Sequence, residues 1–494
     1  MGVTRGFYFG LALLLAGCLP IPNLRADLEV PRPPYRLDPQ EVATEYRSLP
    51  GFPAPGTPAD LNRTFYLRYH APAADRVNPK TDTVLVLMPG IFGGATSFDP
   101  LARQLVASRA GLEVWAIDRR ANALEDRRAL QESLRTRDPS TAYRYYVTDA
   151  GTPAGFNAVR AEDVGFMRRW GLTAHLYDLH EVVKRARAEA DTVILGGHSL
   201  GASIAGFYAA HRFPGGPGDR FIDGLLLLDG TLGRTGAFGL TRGLFLGEVE
   251  LIPVGSGYDA GRGPPFVPVG GGPGLFAANE AEALMARFRP HALAPDAPFP
   301  VTNLARVGTR SDDDFAVSGV FGTSLGEAVG ARYGGNLMAF LIDGPVSSGS
   351  RTVAGVAEGS RAVTWTQAGG AREHTDMGSF LRARVAADSD FNEWYFPLRL
   401  LVDMSELPLD LSGKDDFVVH GEVTAPTLAV GAGHGLVGTL DGFSAYSNLR
   451  AGALFSAYVV PGFTHIDITT ARDNPVVPLF GRWLAQITQL RRSE

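Results

Sequence analysis

The feature that most constrains this chain is the segment 192–203, where a β-branched apolar run leads into Gly-x-Ser-x-Gly and a small-residue helix. A serine on so sharp a strand-to-helix turn has a strained backbone, and side chains two positions before and after it would collide. Gly197 and Gly201 occupy those two positions. The pattern is typical of a nucleophile elbow and makes Ser199 the candidate nucleophile. A plain glycine-rich turn is the alternative, since the chain holds 60 glycines.

The composition is that of a globular protein large enough for one domain with an insertion or for two domains. The chain has 494 residues, of which 45% are hydrophobic and 20% charged. The net charge is −6 and no long tract of Lys and Arg occurs, so we expect no binding to nucleic acid. The 34 prolines and the many glycines predict turns and long irregular connections.

The N-terminus has the pattern of an export signal. Arg5 precedes an apolar run over residues 6–17, which has signal-peptide length and is too short to span a bilayer. The run ends in Leu-Ala-Gly-Cys at Cys18, which resembles a bacterial lipobox. The resemblance implies cleavage before Cys18 and lipid attachment to it, hence an exported protein anchored at the cell envelope, in the outer membrane or periplasm of a Gram-negative cell. The alternative is a plain signal peptide with an incidental cysteine.

Apolar segments alternate with helical patterns along much of the chain. Alternation at 64–69 predicts a first strand, and the following segments predict buried strands: 83–88, 112–117, 192–195, 224–228, 425–430 and 454–460. Helical patterns occupy 98–109, 174–190, 200–212 and 476–490. Continuous apolar strands that alternate with helices predict an α/β fold with a mostly parallel, doubly wound sheet.

The same pattern divides the chain into parts. We expect a signal peptide with its lipobox cysteine at 1–18, a Pro-rich tether at 19–60, a core over 61–230 and 416–494, and one long cap insertion at 231–415. The insertion is glycine-rich and aromatic and shows no regular alternation. A smaller insertion is expected at 121–172.

Three motifs in this order resemble the α/β-hydrolase superfamily, over residues 64–230 and 420–490. They are the elbow, the glycine loop 88–94 after an early strand, and the segment 461–467 after the last strand. The resemblance implies an α/β-hydrolase fold with a cap. It also implies an oxyanion hole from the backbone N–H groups of Ile91 and Leu200, each worth on the order of 3 kcal/mol. Pro89 stands where the family often has histidine, but a backbone amide is the donor, so the function does not require that side chain.

The resemblance makes His465 the general base, because imidazole titrates near neutral pH. The acid is less well defined. The loop 431–437, where the family usually carries it, holds no carboxylate. Some family members place the acid one strand earlier, which here is Asp229. Asp441, farther along the later loop, is the alternative acid, and Asp415, Asp416 or no acid stay open.

A serine nucleophile argues against the dehalogenase and epoxide hydrolase branches, which need a carboxylate there. The resemblance therefore implies a serine esterase or lipase, with a small hydrophobic ester as substrate, no cofactor and no metal site. Acyl transfer on the same fold and a non-catalytic binding lipoprotein are the alternatives. We expect His198 to point away from Ser199, and Asp118 and Asp467 to order loops.

Overall fold

The computed structural model describes residues 34–73, 81–230, 263–268, 272–316, 319–335, 351–367, 373–405, 407, 416–417, 422–447 and 454–493. Cys18 and the proposed lipobox lie outside these residues.

An eight-stranded sheet forms the centre of the molecule. Its strands are β1 (Ala43–Pro50), β2 (Arg63–His70), β3 (Thr81–Met88), β4 (Leu112–Asp118), β5 (Ala190–His198), β6 (Gly224–Leu228), β7 (Thr427–His434) and β8 (Phe455–Thr464). They lie in the order β1-β2-β4-β3-β5-β6-β7-β8. Strand β2 runs antiparallel to β1 and β4, and all other pairs are parallel. This sheet confirms the predicted, mostly parallel α/β fold class.

Helices connect the strands and cover the sheet. They are α1 (Asp99–Ser108), α2 (Arg128–Thr136), α3 (Ser140–Tyr143), α4 (Leu172–Glu189), α5 (Leu200–Ala210), α6 (Pro273–Phe288), α7 (Asn303–Ser311), α8 (Met377–Arg384), α9 (Leu398–Ser405), α10 (Ser444–Ser447), α11 (Asp467–Thr470) and α12 (Val476–Ser493). Among the described residues, no helix combines the length and the apolar character that crossing a bilayer requires.

The alternation of side chains along β3 shows how the two faces of the sheet are buried. Val84 and Val86 pack into one apolar core together with residues of α4 and α5. Leu85 and Leu87 point the other way, into a second core with residues of α1 and α12. Because successive strand residues point to opposite faces, a strand that is apolar throughout must be covered on both. The sheet is therefore doubly wound, as the continuous apolar strands predict.

Strand β1 corrects the expectation that the Pro-rich tether extends over 19–60 and that regular structure starts near Thr64. Residues 43–50 pair antiparallel with β2, from Ala43 opposite His70 to Pro50 opposite Arg63. The strand forms the edge of the sheet and is only half-buried, so it carries no apolar run that would reveal it. Proline is tolerated on an edge strand, which explains why the composition was misleading.

A long insertion separates β6 from β7, which are neighbours in the sheet. Its described part holds α6 to α9 and short two-stranded pairings of Glu327–Val329 with Thr364–Thr366 and of Ala331–Gly335 with Arg351–Val356. Another two-stranded pairing, of Arg212–Phe213 with Gly216–Pro217, follows α5. Tyr146 and Trp170, from the smaller insertion, share an apolar core with Leu284 and Trp394 of the long one. The two insertions therefore pack as one layer.

A cluster of buried carboxyl groups lies between the long insertion and the core. Glu280 of α6 accepts a hydrogen bond from Trp394 Nε1 at 3.3 Å, and Asp390 pairs with Arg127 at 2.7 Å. Burial, and after it the charge of Asp390, raises the pKa of Glu280 and of Glu125 well above the ordinary range. The folded protein therefore favours the protonated form of Glu280 more strongly than the unfolded chain does.

We predict that Glu280→Gln stabilises the protein more at pH 8 than at pH 5. Glu280 ionises near pH 4.5 in the unfolded chain but far above it in the folded one. The folded state thus binds more protons, and the free energy of unfolding falls as the pH rises. Glutamine imitates the protonated carboxyl, so the difference in stabilisation should be about 1–3 kcal/mol.

Urea unfolding at the two pH values measures this difference. Glu181→Gln, which changes a partly exposed carboxylate of α4, is the matched control and should show no such pH dependence. Equal stabilisation by Glu280→Gln at both pH values would contradict the assignment of a buried proton.

Candidate active site

Ser199 lies at the sharp turn between β5 and α5. Its backbone has φ 57° and ψ −125°, a conformation that costs a non-glycine residue of order 1–3 kcal/mol. A Cβ atom on Gly197 would lie 2.1 Å from the Gly201 carbonyl oxygen, and one on Gly201 would lie 2.0 Å from that of Met88. Both glycines are therefore required for steric reasons, as the motif predicts. The Ser199 N–H donates to the Leu228 carbonyl at 2.9 Å and ties the turn to β6.

The glycine loop after β3 packs against this serine. A Cβ atom on Gly90 would lie 2.9 Å from Ser199 Cβ. The loop turns through a hydrogen bond from the Gly93 N–H to the Gly90 carbonyl at 3.2 Å, with φ 55° at Phe92. Within the described part of the chain, the Ile91 and Leu200 amides donate to no backbone or side-chain acceptor. Two free N–H groups on the elements that flank a buried hydroxyl are what an oxyanion hole requires.

A buried arginine holds this loop in shape. Arg119, at the end of β4, donates to the carbonyls of Pro89 at 2.7 Å and Gly93 at 3.1 Å, and also to that of Gly90. The same guanidinium pairs with Glu393 of the long insertion at 2.7 Å, and neither side chain is exposed. Because three carbonyls face Arg119, the loop is fixed in one orientation. The sequence motifs did not identify Arg119 as a site residue, although its place directly after a strand that is buried throughout was a usable signal.

The insertion also contacts the loop directly. The Glu393 N–H donates to the Phe92 carbonyl at 2.9 Å, and the Gly94 N–H donates to the Phe391 carbonyl at 2.8 Å. Asp118, which we expected to order this region, accepts from the Ala95 N–H at 2.5 Å. Burial, and after it the charge of Asp390, raises the pKa of Asp118 to about 6.

His465 and Asp229 form a buried pair. His465 Nδ1 lies 2.6 Å from Asp229 Oδ2, and the two side chains are 3% and 0% exposed. The same carboxylate accepts from the N–H groups of Ala432, Leu436 and Val437, each at 2.9 Å. Burial alone would raise the pKa of Asp229, but these hydrogen bonds and the imidazole outweigh it and lower that pKa. Asp229 is therefore a carboxylate at neutral pH and holds the His465 proton on Nδ1.

The loop after β7 explains how the acid can come from β6. In place of a carboxylate it supplies the three amides that bind Asp229. A Cβ atom on Gly435 would lie 2.2 Å from Asp229 Oδ2, so this close approach needs glycine. Asp229 itself has φ 40°. Asp441 and Asp416 are exposed, and among the described residues neither forms a hydrogen bond or an ion pair with His465. Asp415 lies outside the described residues.

Asp467 fixes the loop that carries His465, as we expected. Its buried carboxylate accepts from the hydroxyls of Thr323 at 2.8 Å, Thr375 at 2.9 Å and Ser324 at 2.9 Å. The N–H groups of Ser324 and Thr464 add bonds of 3.1 Å each. Three of these four partners belong to the long insertion. The insertion therefore positions the histidine loop as well as the glycine loop.

His198, which we expected to point away from the nucleophile, packs against His465. Its ring centroid lies 4.2 Å from that of His465, and its Nε2 bonds the His465 carbonyl at 2.9 Å. Burial lowers the pKa of His198 to about 3, so it adds no charge beside His465 at neutral pH. The Ser199 hydroxyl is buried and has no hydrogen-bond partner among the described residues. Hydrogen bonds between a nucleophile and its base are often long or poorly aligned without a substrate and tighten when the substrate binds.

Comparisons with known proteins give distant similarities only. No protein-family model and no curated protein sequence matches the chain. Among solved structures, a candidate lipase from Sulfolobus solfataricus is 16% identical, with a TM-score of 0.48 over 92% of this chain and 98% of that one. Epoxide hydrolase A from Mycobacterium thermoresistibile is 12% identical, with a TM-score of 0.42 over 90% and 98%. A monoglyceride lipase from Saccharomyces cerevisiae is 12% identical, with a TM-score of 0.37 over 92% and 99%.

We predict that Asp467→Asn lowers the free energy of unfolding by about 2–4 kcal/mol. The asparagine NH₂ group would face hydroxyl and amide donors, so at least two hydrogen bonds to a charged acceptor are lost. Urea unfolding measures the change. Asp473→Asn, at an exposed position a few residues away, is the control and should change stability little. A variant as stable as the wild type would show that the Asp467 bonds do not hold the histidine loop.

Proposed function

We propose that this protein is a serine hydrolase that cleaves carboxylic esters through an acyl-enzyme. The observation that carries the proposal is the buried 2.6 Å bond between His465 Nδ1 and Asp229, at the strand ends next to the Ser199 elbow. A nucleophile, an oriented imidazole and free backbone amides are the parts that acyl transfer to serine requires.

In the proposed reaction Ser199 Oγ attacks the acyl carbonyl carbon while His465 Nε2 takes the hydroxyl proton. The N–H groups of Ile91 and Leu200 bind the oxygen that becomes negative. His465 then gives the proton to the leaving alcohol, and an acyl ester on Ser199 remains. Water, activated by the same imidazole, attacks this ester and releases the acid. Asp229 keeps the imidazole in the productive tautomer and stabilises its protonated form.

The proposed substrate is a small ester with apolar character, because aromatic side chains of the long insertion lie beside the site. Phe321 contacts the His465 ring edge-on with centroids 5.4 Å apart, and Phe92 of the glycine loop packs against Phe276 and Phe396.

The exported, lipid-anchored location of the protein also stays a proposal. It rests on the lipobox pattern at Cys18.

Hydrolysis of p-nitrophenyl esters from acetate to palmitate, by protein that lacks residues 1–18, tests the proposal. We expect Ser199→Ala to lose at least about 10³-fold in kcat and Asp229→Asn up to about 10⁴-fold. Asp441→Asn is the matched control and should retain activity, since that side chain is exposed. A fluorophosphonate should label the wild type and not Ser199→Ala. Equal turnover in wild type and Ser199→Ala would overturn the proposal.

The arginine that holds the glycine loop gives a second test. We predict that Arg119→Lys lowers kcat by about 10–10²-fold, because three donors on one ammonium nitrogen cannot replace the four bonds of the planar guanidinium to three carbonyls and Glu393, and the donor at Ile91 loses its orientation. The matched control is Arg120→Lys. Arg120 is equally buried and pairs with Asp178 at 2.6 Å, but its guanidinium donates to the Phe52 carbonyl rather than to the glycine loop.

We expect both variants to lower the melting temperature. Only Arg119→Lys should also lower kcat, because only in that variant does the Ile91 donor lose its orientation. Steady-state kinetics and thermal unfolding on the same preparations measure the two effects. Equal loss of kcat in both variants would show that Arg119 acts through stability alone.

A further inference from the structure

A cavity of about 240 Å³ lies within the long insertion, next to the histidine loop. Its walls include the rings of Phe276, Phe321, Phe380 and Phe391, with Ile466 at the end nearest the site. Ligand sites in proteins usually measure about 300–1,000 Å³, so this cavity fits a short part of a ligand. The mechanism proposed above makes no use of it.

Arg384 faces this cavity without a partner. The guanidinium donates no hydrogen bond and forms no ion pair within the part of the chain that the structure describes, and its Nε is buried. Its Cζ lies 5.7 Å from the ring centroid of Phe380 and 5.2 Å from that of Phe391. These rings stabilise the cation but satisfy none of its donors. A largely buried guanidinium with free donors at a cavity wall is a site for an anion.

The nearby carboxyl groups form no ion pair with Arg384, although the charges of Asp390, Glu280 and Glu282 act on it and oppose the effect of burial on its pKa. Glu282, which also lines the cavity, is bound by two other arginines: Arg306 at 2.6 Å, and Arg310. Asp390 is paired with Arg127. Burial raises the pKa of Glu280 well above the ordinary range and so favours its neutral form. The Arg384 guanidinium therefore keeps donors that no carboxyl group of the described chain accepts.

The cavity adjoins the elements that hold the reacting groups. Phe321 is both a wall of the cavity and the ring in contact with His465. Asn392, another wall residue, donates through its side-chain amide to the Phe92 carbonyl of the glycine loop at 3.3 Å. A group bound in the cavity would thus be separated from the His465 imidazole by the ring of Phe321.

We propose that this cavity binds a carboxylate carried by the ester substrate, with Arg384 as its anchor. The inference rests on the proposed ester hydrolysis and narrows the substrate to esters with an acidic end. The planar guanidinium can donate two parallel hydrogen bonds to a carboxylate, and the phenylalanine rings contact the carbon chain that links it to the ester. Arg384 is in this sense a specificity residue that touches the substrate away from the reacting bond.

The test compares kcat/KM for acidic and neutral esters of matched length. One arm uses p-nitrophenyl hemisuccinate, hemiadipate and hemisebacate against the butyrate, hexanoate and decanoate. The other arm uses 4-carboxyphenyl acetate against phenyl acetate, so that the acid lies on the leaving group. We expect the wild type to prefer the acidic ester in one arm by at least about tenfold, as a charged hydrogen-bonded pair would give. That arm identifies which side of the ester enters the cavity.

Arg384→Met should reduce this preference by about tenfold or more, through a higher KM for the acidic ester, and Arg384→Lys should retain part of it. Arg382→Met is the matched control and should leave the preference unchanged, because Arg382 lies on the same helix but donates to Ser379 at 2.8 Å. No preference in the wild type, or one that persists in Arg384→Met, would overturn the inference.

Binding is measured separately from turnover. Glutarate should raise the melting temperature of the wild type more than that of Arg384→Met. If neutral esters are hydrolysed but neither preference nor glutarate binding is found, only the cavity assignment fails. If glutarate binds through Arg384 while no ester is cleaved and Ser199 is not labelled, the proposed hydrolysis fails and the carboxylate site stands.

Discussion

The Asp229 carboxylate is the interaction on which the site depends. It is buried at the end of β6 and carries a charge, which is costly in a protein interior unless the charge is fully hydrogen-bonded. Three amides of the loop after β7 and the imidazole at the end of β8 supply these bonds. One charge therefore joins three neighbouring strand ends. The backbone strain at Ser199 and Asp229 is sustained because both residues are held by adjacent strands of a sheet that is buried on both faces.

The long insertion takes part in this geometry rather than only covering it. It supplies Glu393 to the arginine that orients the glycine loop, and hydroxyl groups to the Asp467 carboxylate that orders the histidine loop. Each contact pairs a buried ionic group of the core with polar groups of the insertion. A displaced insertion would take Glu393 away from Arg119 and the hydroxyl donors away from Asp467, so hydrogen bonds to both groups would be lost. The free energy that holds the insertion in place is therefore linked to the orientation of the proposed catalytic groups.

The sequence predicted the parts that depend on local pattern. The apolar runs of β3 to β6 and the glycines around Ser199 have steric and packing requirements that a short segment already shows. Edge strand β1 was missed because none of its residues is fully buried, so its sequence shows neither an apolar run nor a regular alternation. The acid stayed open between Asp229 and Asp441 because the choice depends on amides of the loop 432–437, which fold back on β6. No local pattern records such a contact, and the pairing of Arg119 with Glu393 spans a separation of 274 residues.

The buried ionisable groups differ in how their surroundings compensate a charge. This difference distinguishes the groups that hold the fold from a group that is a candidate for binding substrate. Arg119 and Asp467 have hydrogen-bond partners, and burial favours the neutral form of Glu280. Arg384 is stabilised by two phenylalanine rings and by nearby carboxyl charges, but its Nε has no hydrogen-bond acceptor within the described chain. A buried donor without an acceptor destabilises the fold, so the unsatisfied Nε at a cavity wall next to Phe321 and His465 calls for a compensating gain. An anionic group on the substrate would provide one, since binding then satisfies donors that folding leaves free.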